Sequence, residues 1–209
     1  MVDRTATAPP DKAMRAARSA QTRARLVKAA ERLFAQRGYA NVGTNEIVQA
    51  AKTTRGGLYY HFKDKKDLFR VVHEQIEERI AAGIAAKLAT TGRDVVEMLR
   101  VGVGSFLDAC MDPKVARIAL VDAPSILGWK EWREVDQRHG LGLIMAGLEL
   151  GVADGMLAPQ PVKPLAHLLL GAVGEAGMMI ANAPDPKRAR KEVEPALIAL
   201  VEGLRQVDG

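Results

Sequence analysis

The sequence predicts an all-α chain, with a small three-helix unit at its N-terminus and a larger helical body behind it. Apolar residues recur at helical spacing in one segment after another, and no stretch alternates with the period of two that a half-buried strand requires. Segment ends carry matching punctuation, Asp or Thr in front of a helix and Gly or Pro behind it. With 209 residues and 48% hydrophobic content, the chain has ample material for a core.

Residues 1–18 are rich in Ala, Thr and Pro and carry Arg4, Lys12, Arg15 and Arg18; they read as a disordered basic arm, with no apolar run long enough for a signal peptide. Leu26, Ala29, Ala30, Leu33 and Phe34 then stand at i, i+3, i+4, i+7 and i+8, an amphipathic helix that Gly38 closes. A second helix covers 44–51, with Ile47 and Val48 turned inward. Ala51, Lys52 and Thr53 form a tight turn, and Thr54 caps a third helix beginning Arg55-Gly56-Gly57-Leu58-Tyr59-Tyr60-His61-Phe62. Asp64 caps a long fourth helix over about 65–89, whose apolar side holds Leu68, Val72, Ile76, Ile80 and Ile84.

Beyond Gly92 the helical pattern continues over 93–111, ended near Pro113, and over 114–123, ended at Pro124. Further helices follow at 129–154, 164–183 and 186–205, the last opened by the Asp185-Pro186 start signal. Pro195 lies inside that last helix and is expected to kink or split it near Glu194. The longest apolar run, 165–180, is interrupted by Glu175 and falls short of the ~20 residues that span a bilayer, so it reads as a buried helix.

The segment 43–68 is the most informative. It is a short helix, a tight turn, a second short helix rich in hydroxyl and aromatic donors, and a basic exit, a unit suited to a DNA groove. Two glycines in one short helix cost roughly 1 kcal/mol each, and close backbone approach to a phosphate or base edge is one compensating reason for Gly56 and Gly57. Charge points the same way. Residues 1–70 hold 15 Lys and Arg against 6 Asp and Glu, whereas residues 71–209 hold 15 against 19. The simplest partner for such a lopsided basic third is a polyanion.

The run Thr44-Asn45-Glu46-Ile47-Val48 through Ala51, followed by T-T-R-G-G-L-Y-Y-H-F-K-D-K-K-D-L-F, resembles the DNA-binding domain of TetR-like (tetracycline-repressor-like) transcriptional regulators. Members usually place Gly where this turn has Lys52; a left-handed Lys52 costs on the order of 1 kcal/mol. The resemblance implies a helix-turn-helix DNA-binding domain over 19–64 and a helical effector-binding and dimerisation domain over 65–209. It further implies a cytoplasmic, ligand-responsive homodimer, a repressor that binds a palindromic double-stranded operator and is released by a small molecule. Arg55 is the candidate for a bidentate contact to guanine. Thr44, Thr53, Thr54, Gly56, Tyr59, Tyr60, His61, Lys63 and Lys65 complete the expected DNA surface, mainly as phosphate anchors that set register.

The same resemblance places dimerisation on the last two helices, through Leu168, Gly171, Gly174, Gly177, Met178, Leu197, Val201 and Leu204; the three glycines form a stripe of small residues at spacing three, which also fits packing within one subunit. An effector pocket between the fourth and seventh helices is expected to involve Met98, Phe106, Met111, Trp129, Trp132 and Met145, with His139 nearby, although such residues also suit plain core packing. Other functions have little support. No phosphate-binding Gly loop, nucleophile elbow or zinc-protease motif occurs, so neither catalytic residues nor a cofactor are expected. His73 and Glu77 stand at i, i+4 and read as a surface pair with no further ligands for a metal. An architectural DNA binder predicts basic charge over the whole surface, against the acidic C-terminal two-thirds. The single Cys110 permits no internal disulfide, in keeping with a reducing cytoplasm, and no membrane partner is expected.

Overall fold

The computed structural model describes residues 10–205, and these form nine consecutive helices with no strand beyond one isolated bridge between Leu157 and Arg205. The N-terminal unit comprises α1 (Pro10–Arg37), α2 (Thr44–Ala50) and α3 (Arg55–His61). The connecting helix α4 (Lys65–Leu88) leads to α5 (Val95–Cys110), α6 (113–127), α7 (129–153), α8 (Val162–Asn182) and α9 (Pro186–Glu202).

Residues 10–18, expected in a disordered arm, instead form the first turns of α1; residues 1–9 lie outside the described part. Ala13, Ala16, Ala17 and Ala20 are strong helix formers and extend the helix outward from its first fully buried residues, Leu26 and Val27. The core of the unit is a cluster of Leu26, Phe34, Ile47, Leu58, Phe62 and Phe69. Phe34 and Phe69 meet edge to face at 5.4 Å, and Tyr39 packs on Phe69 at 5.1 Å.

The loop between α1 and α2 is tied to both neighbours. From α4, the Lys65 ammonium donates to the carbonyls of Tyr39 and Val42, each at 3.0 Å, and lies 3.9 Å from the Tyr39 ring centroid. From α6, Asp122 accepts the Tyr39 N–H at 2.8 Å and pairs with Arg117 at 3.3 Å. Gly38 has φ 76, and a Cβ there would overlap the Arg117 guanidinium, so this left-handed corner also admits the arginine.

Two helices are wider than sequence spacing suggests. Pro124 does not end α6, because the backbone changes to π-type i→i+5 bonding over Ala116–Asp122 and continues as Ala123–Leu127. The Ala123 N–H reaches Ile118 O. In that register the absent N–H of Pro124 leaves Ala119 O open, and the Trp132 indole N–H fills it at 3.1 Å. A second π segment, Gln137–Leu141, interrupts α7.

Pro195 does not split α9, which runs unbroken from Pro186 to Glu202. Both Pro195 and Lys191, whose carbonyl loses its partner, are exposed, so water can satisfy that oxygen. Helix α8 has 21 residues, longer than the apolar run suggests and long enough by length and composition to cross a bilayer. It nevertheless packs between α5, α7 and α9 and buries Ala166, Leu169, Leu170, Ala176 and Ile180, as a core helix does.

Two substitutions should move stability in opposite directions. Lys52 is the one non-glycine residue with positive φ among the described residues, at 50°, and it is exposed. Lys52→Gly should stabilise by about 1 kcal/mol, raising the melting temperature by roughly 2–4 °C. Lys65→Ala strips two carbonyls of a charged donor and should destabilise by about 1–3 kcal/mol. Thermal and urea unfolding of both variants decide; equal stabilities would remove strain and clamp alike.

Candidate DNA-reading surface and buried cavity

The α2–turn–α3 unit is built by local capping. Gly43 N–H donates to the Glu46 carboxylate at 2.8 Å, a bond that holds this carboxyl below its usual range together with its partner Arg37. Lys52 N–H and Thr53 N–H return to Gln49 O and Val48 O, closing the turn. Thr54 then caps α3 by accepting Gly57 N–H at 3.1 Å. Leu58 and Phe62 are buried and fix the inner face of α3, while Arg55, Gly56, Tyr59 and Tyr60 point outward.

Most residues expected on the reading surface are accessible to solvent. Arg55 is exposed and has no ion-pair partner among the described residues; Tyr60 is 78% and Tyr59 46% exposed. Thr54 and Lys63 are exposed, and Thr44, Thr53 and His61 are half-buried at the edge of the surface. The two glycines differ. A Cβ on Gly56 would meet only open space and the Thr54 hydroxyl at 3.8 Å, so Gly56 presents bare backbone outward. A Cβ on Gly57 would stand 2.6 Å from the Thr53 hydroxyl, so contacts within the unit supply a reason for glycine there. Lys65 departs from expectation: its ammonium is turned into the α1–α2 loop, and burial lowers its pKa.

Beneath this unit, α4, α5, α7, α8 and α9 enclose a cavity of about 100 Å³. Of the expected pocket residues it is lined by Met98 and Phe106, with His139 as well. Met111 and Met145 are half-buried against the core away from it. Trp132 is buried with its indole spent on Ala119 O, and Trp129 is 65% exposed on a surface depression beside Arg70 and Glu131. Large side chains in mid-chain were therefore a poor guide; the walls are mostly Ile, Leu and Val from five helices.

His73 and Glu77 do not form the expected surface pair. His73 is fully buried with neither ring nitrogen hydrogen-bonded, and burial, reinforced by nearby His139, pushes its pKa down to about 4. Glu77 lines the cavity; burial, with Asp136 adding repulsion, raises its carboxyl to about 8. Asp136 sits beside it, raised to about 6 by burial despite its 2.7 Å pair with Arg133. The one sequence signal for this polar pole was the position of His73 and Glu77 just beside Val72 and Ile76 on the apolar side of α4.

The expected dimer residues divide in two. Leu168 is 72% exposed, and Gly171, Met178 and Leu204 are half-buried. Gly174, Leu197 and Val201 line the cavity, and Gly177 packs against Phe106 and Cys110, where a Cβ would stand 3.0 Å from both. Of the three glycines, Gly177 is thus required by close packing inside the protomer, whereas a Cβ on Gly171 or Gly174 would meet only the Arg133 guanidinium, at 3.6 and 4.0 Å. Met179 on α8 and Leu200 on α9 are exposed instead.

The half-buried acids at the cavity give stability a pH dependence. Glu77 binds its proton more tightly folded than unfolded, so its contribution is present at low pH and is lost as pH rises towards about 8. Asp136 acts alike but only up to about 6, and His73 acts oppositely between about 4 and its ordinary 6.5. Between pH 6.5 and 8 the Glu77 effect dominates, since the Cys110 thiol, raised to about 12 by burial, enters at higher pH. Urea unfolding should therefore show stability falling across this window in the native protein and staying level in Glu77→Gln. Parallel pH profiles would mean that Glu77 is not buried in this way.

Both halves of the chain match known families. Residues 26–72 match the family model for bacterial regulatory proteins of the tetR family, and residues 96–204 match the tetracyclin repressor-like C-terminal domain. The transposon Tn10 TetC protein of Escherichia coli is 29% identical over 147 residues, 70% of this chain and 73% of that protein. The regulator AcrR of Shigella flexneri is 45% identical over 60 residues, only 29% of this chain and 28% of that protein. A crystal structure of a TetR-family transcriptional regulator from Pectobacterium atrosepticum superposes with a TM-score of 0.81 at 31% identity, covering 92% of this chain and 98% of that one. The helix-turn-helix, the all-helical body and these matches together place the chain in the tetR family of bacterial regulatory proteins.

Proposed function

We propose that this protein is a cytoplasmic, ligand-responsive repressor that binds a palindromic DNA operator as a homodimer and leaves it when a small molecule enters the cavity. The observation that carries this reading is the double membership of α4. Its first turns hold Lys65, which ties it to the loop before α2, while Glu77, Ile80 and Ile84 further along form one wall of the cavity. A ligand that displaces that wall displaces the reading helix as well.

Arg55 reaches a base edge, and Thr44, Thr53, Thr54, Tyr59, Tyr60, His61 and Lys63 hold phosphates around it; exposed backbone at Gly56 lets α3 come close to the DNA. Dimerisation uses the outer faces of α8 and α9, where Leu168, Met179 and Leu200 expose apolar side chains. A two-fold pair of such protomers matches an operator with dyad symmetry. The effector must bind the free dimer more tightly than the DNA-bound dimer, and operator must weaken effector binding by the same factor.

Sequencing the fragments that the purified protein retains from a random DNA pool should reveal an inverted repeat. Arg55→Ala should then cost about 1–3 kcal/mol on that site and relax preference at one base pair in each half. Retention of DNA without any sequence preference, or an unchanged preference in Arg55→Ala, would sink the assignment.

A further inference from the structure

The cavity has one polar end. Among its lining residues only Glu77, Asp136 and His139 carry polar side chains, and none is Lys or Arg. Asp136 is matched by Arg133 at 2.7 Å, whereas Glu77 has no hydrogen-bond or ion-pair partner among the described residues. A lone carboxyl at the end of an apolar chamber offers an anionic head no cationic partner, and by giving up its proton it gains most from a cationic one. Phe106 in the wall adds an aromatic face that also favours a cation.

We propose that the effector is a small amphipathic monocation, an apolar body ending in a protonated amine set against Glu77. This rests on the reading of the cavity as the effector site and names the chemistry of what enters it. The volume of about 100 Å³ limits the occupant to a compact molecule, given that a single water needs about 10–15 Å³ on this scale.

Protons balance as follows. In the empty cavity burial keeps Glu77 largely protonated at neutral pH. When the ammonium seats, the carboxyl loses its proton to solvent and remains as carboxylate beside the cation. The groups facing it are His73 on its own helix, Asp136 and His139 of α7 with Arg133 behind them, and Cys110 of α5; the lining residues of α8 and α9 bring no titratable group. Affinity for an amine should thus rise roughly tenfold from pH 6 to 7 and level off above about 8.

Benzylammonium, benzyl alcohol and benzoate share one body and differ in the head, which makes them suitable probes for calorimetry on the full chain. Benzylammonium should bind tightest and benzoate weakest. In buffers of different ionisation enthalpy, benzylammonium binding at pH 7 should release close to one proton, and benzyl alcohol binding none. Glu77→Gln should erase both the preference for the amine and its pH dependence while still admitting benzyl alcohol. If that variant fails to fold, the proton release of the native protein still decides. Benzoate binding as tightly as the amine, amine binding without proton release, or no binding of any of the three overturns the proposal. Sequence-selective DNA retention is measured separately, so a protein that prefers the amine but retains no operator would sink the repressor reading and leave this one standing.

Discussion

The loop between α1 and α2 is the constraint on which the rest of the molecule depends. Lys65 holds it from α4 through two carbonyls, and Asp122 holds it from α6 through the Tyr39 N–H. Half-burying an ammonium is costly unless its donors find acceptors, and here two carbonyls and the face of Tyr39 supply them. Because the same loop ends at the Gly43 cap of α2, the helix-turn-helix has no independent hinge on this side. Its orientation follows α4 and α6.

Helix α4 changes environment along its length. Leu68, Phe69 and Val72 complete the core of the N-terminal unit, while Glu77, Ile80 and Ile84 face a cavity five helices wide. The polar residues at that transition, His73 and Glu77, are held in their uncharged forms at neutral pH mainly by burial, with His139 and Asp136 adding to it. Such groups lower stability where they stand, and residues of this kind concentrate at sites that bind something. A chain selected only for a firm core would place aliphatic residues there.

The two π segments turn irregular backbone into position. In α6, the wider turn accommodates Pro124 and frees Ala119 O for the Trp132 indole, locking α6 to α7. In α7, the segment Gln137–Leu141 follows directly on Asp136 and carries His139 and Gly140, so these residues meet at the polar end of the cavity. Widened turns are recurrent at functional sites because they redirect side chains without ending the helix.

The helical periodicity, the caps at Thr54 and Asp64, and the glycine stop at Gly38 were legible in the sequence because they depend on residues within one or two turns of one another. The outward face of α3 was legible for the same reason: seven consecutive residues on one short helix decide which side chains point outward. The cavity was not. Its walls come from residues separated by up to the whole length of the body, and a Met or Trp that looks suited to a pocket is equally suited to a core, which is where Trp132 lies. The same limit applies to Gly177 of α8, whose place in a row of small residues announces close packing but not the partner, here Phe106 and Cys110 of the same protomer. Lys65 and Glu77 show it most plainly. A charged residue in a sequence has water as its default neighbour, and only the packing of distant helices replaced that water with carbonyls around one and with an apolar chamber around the other.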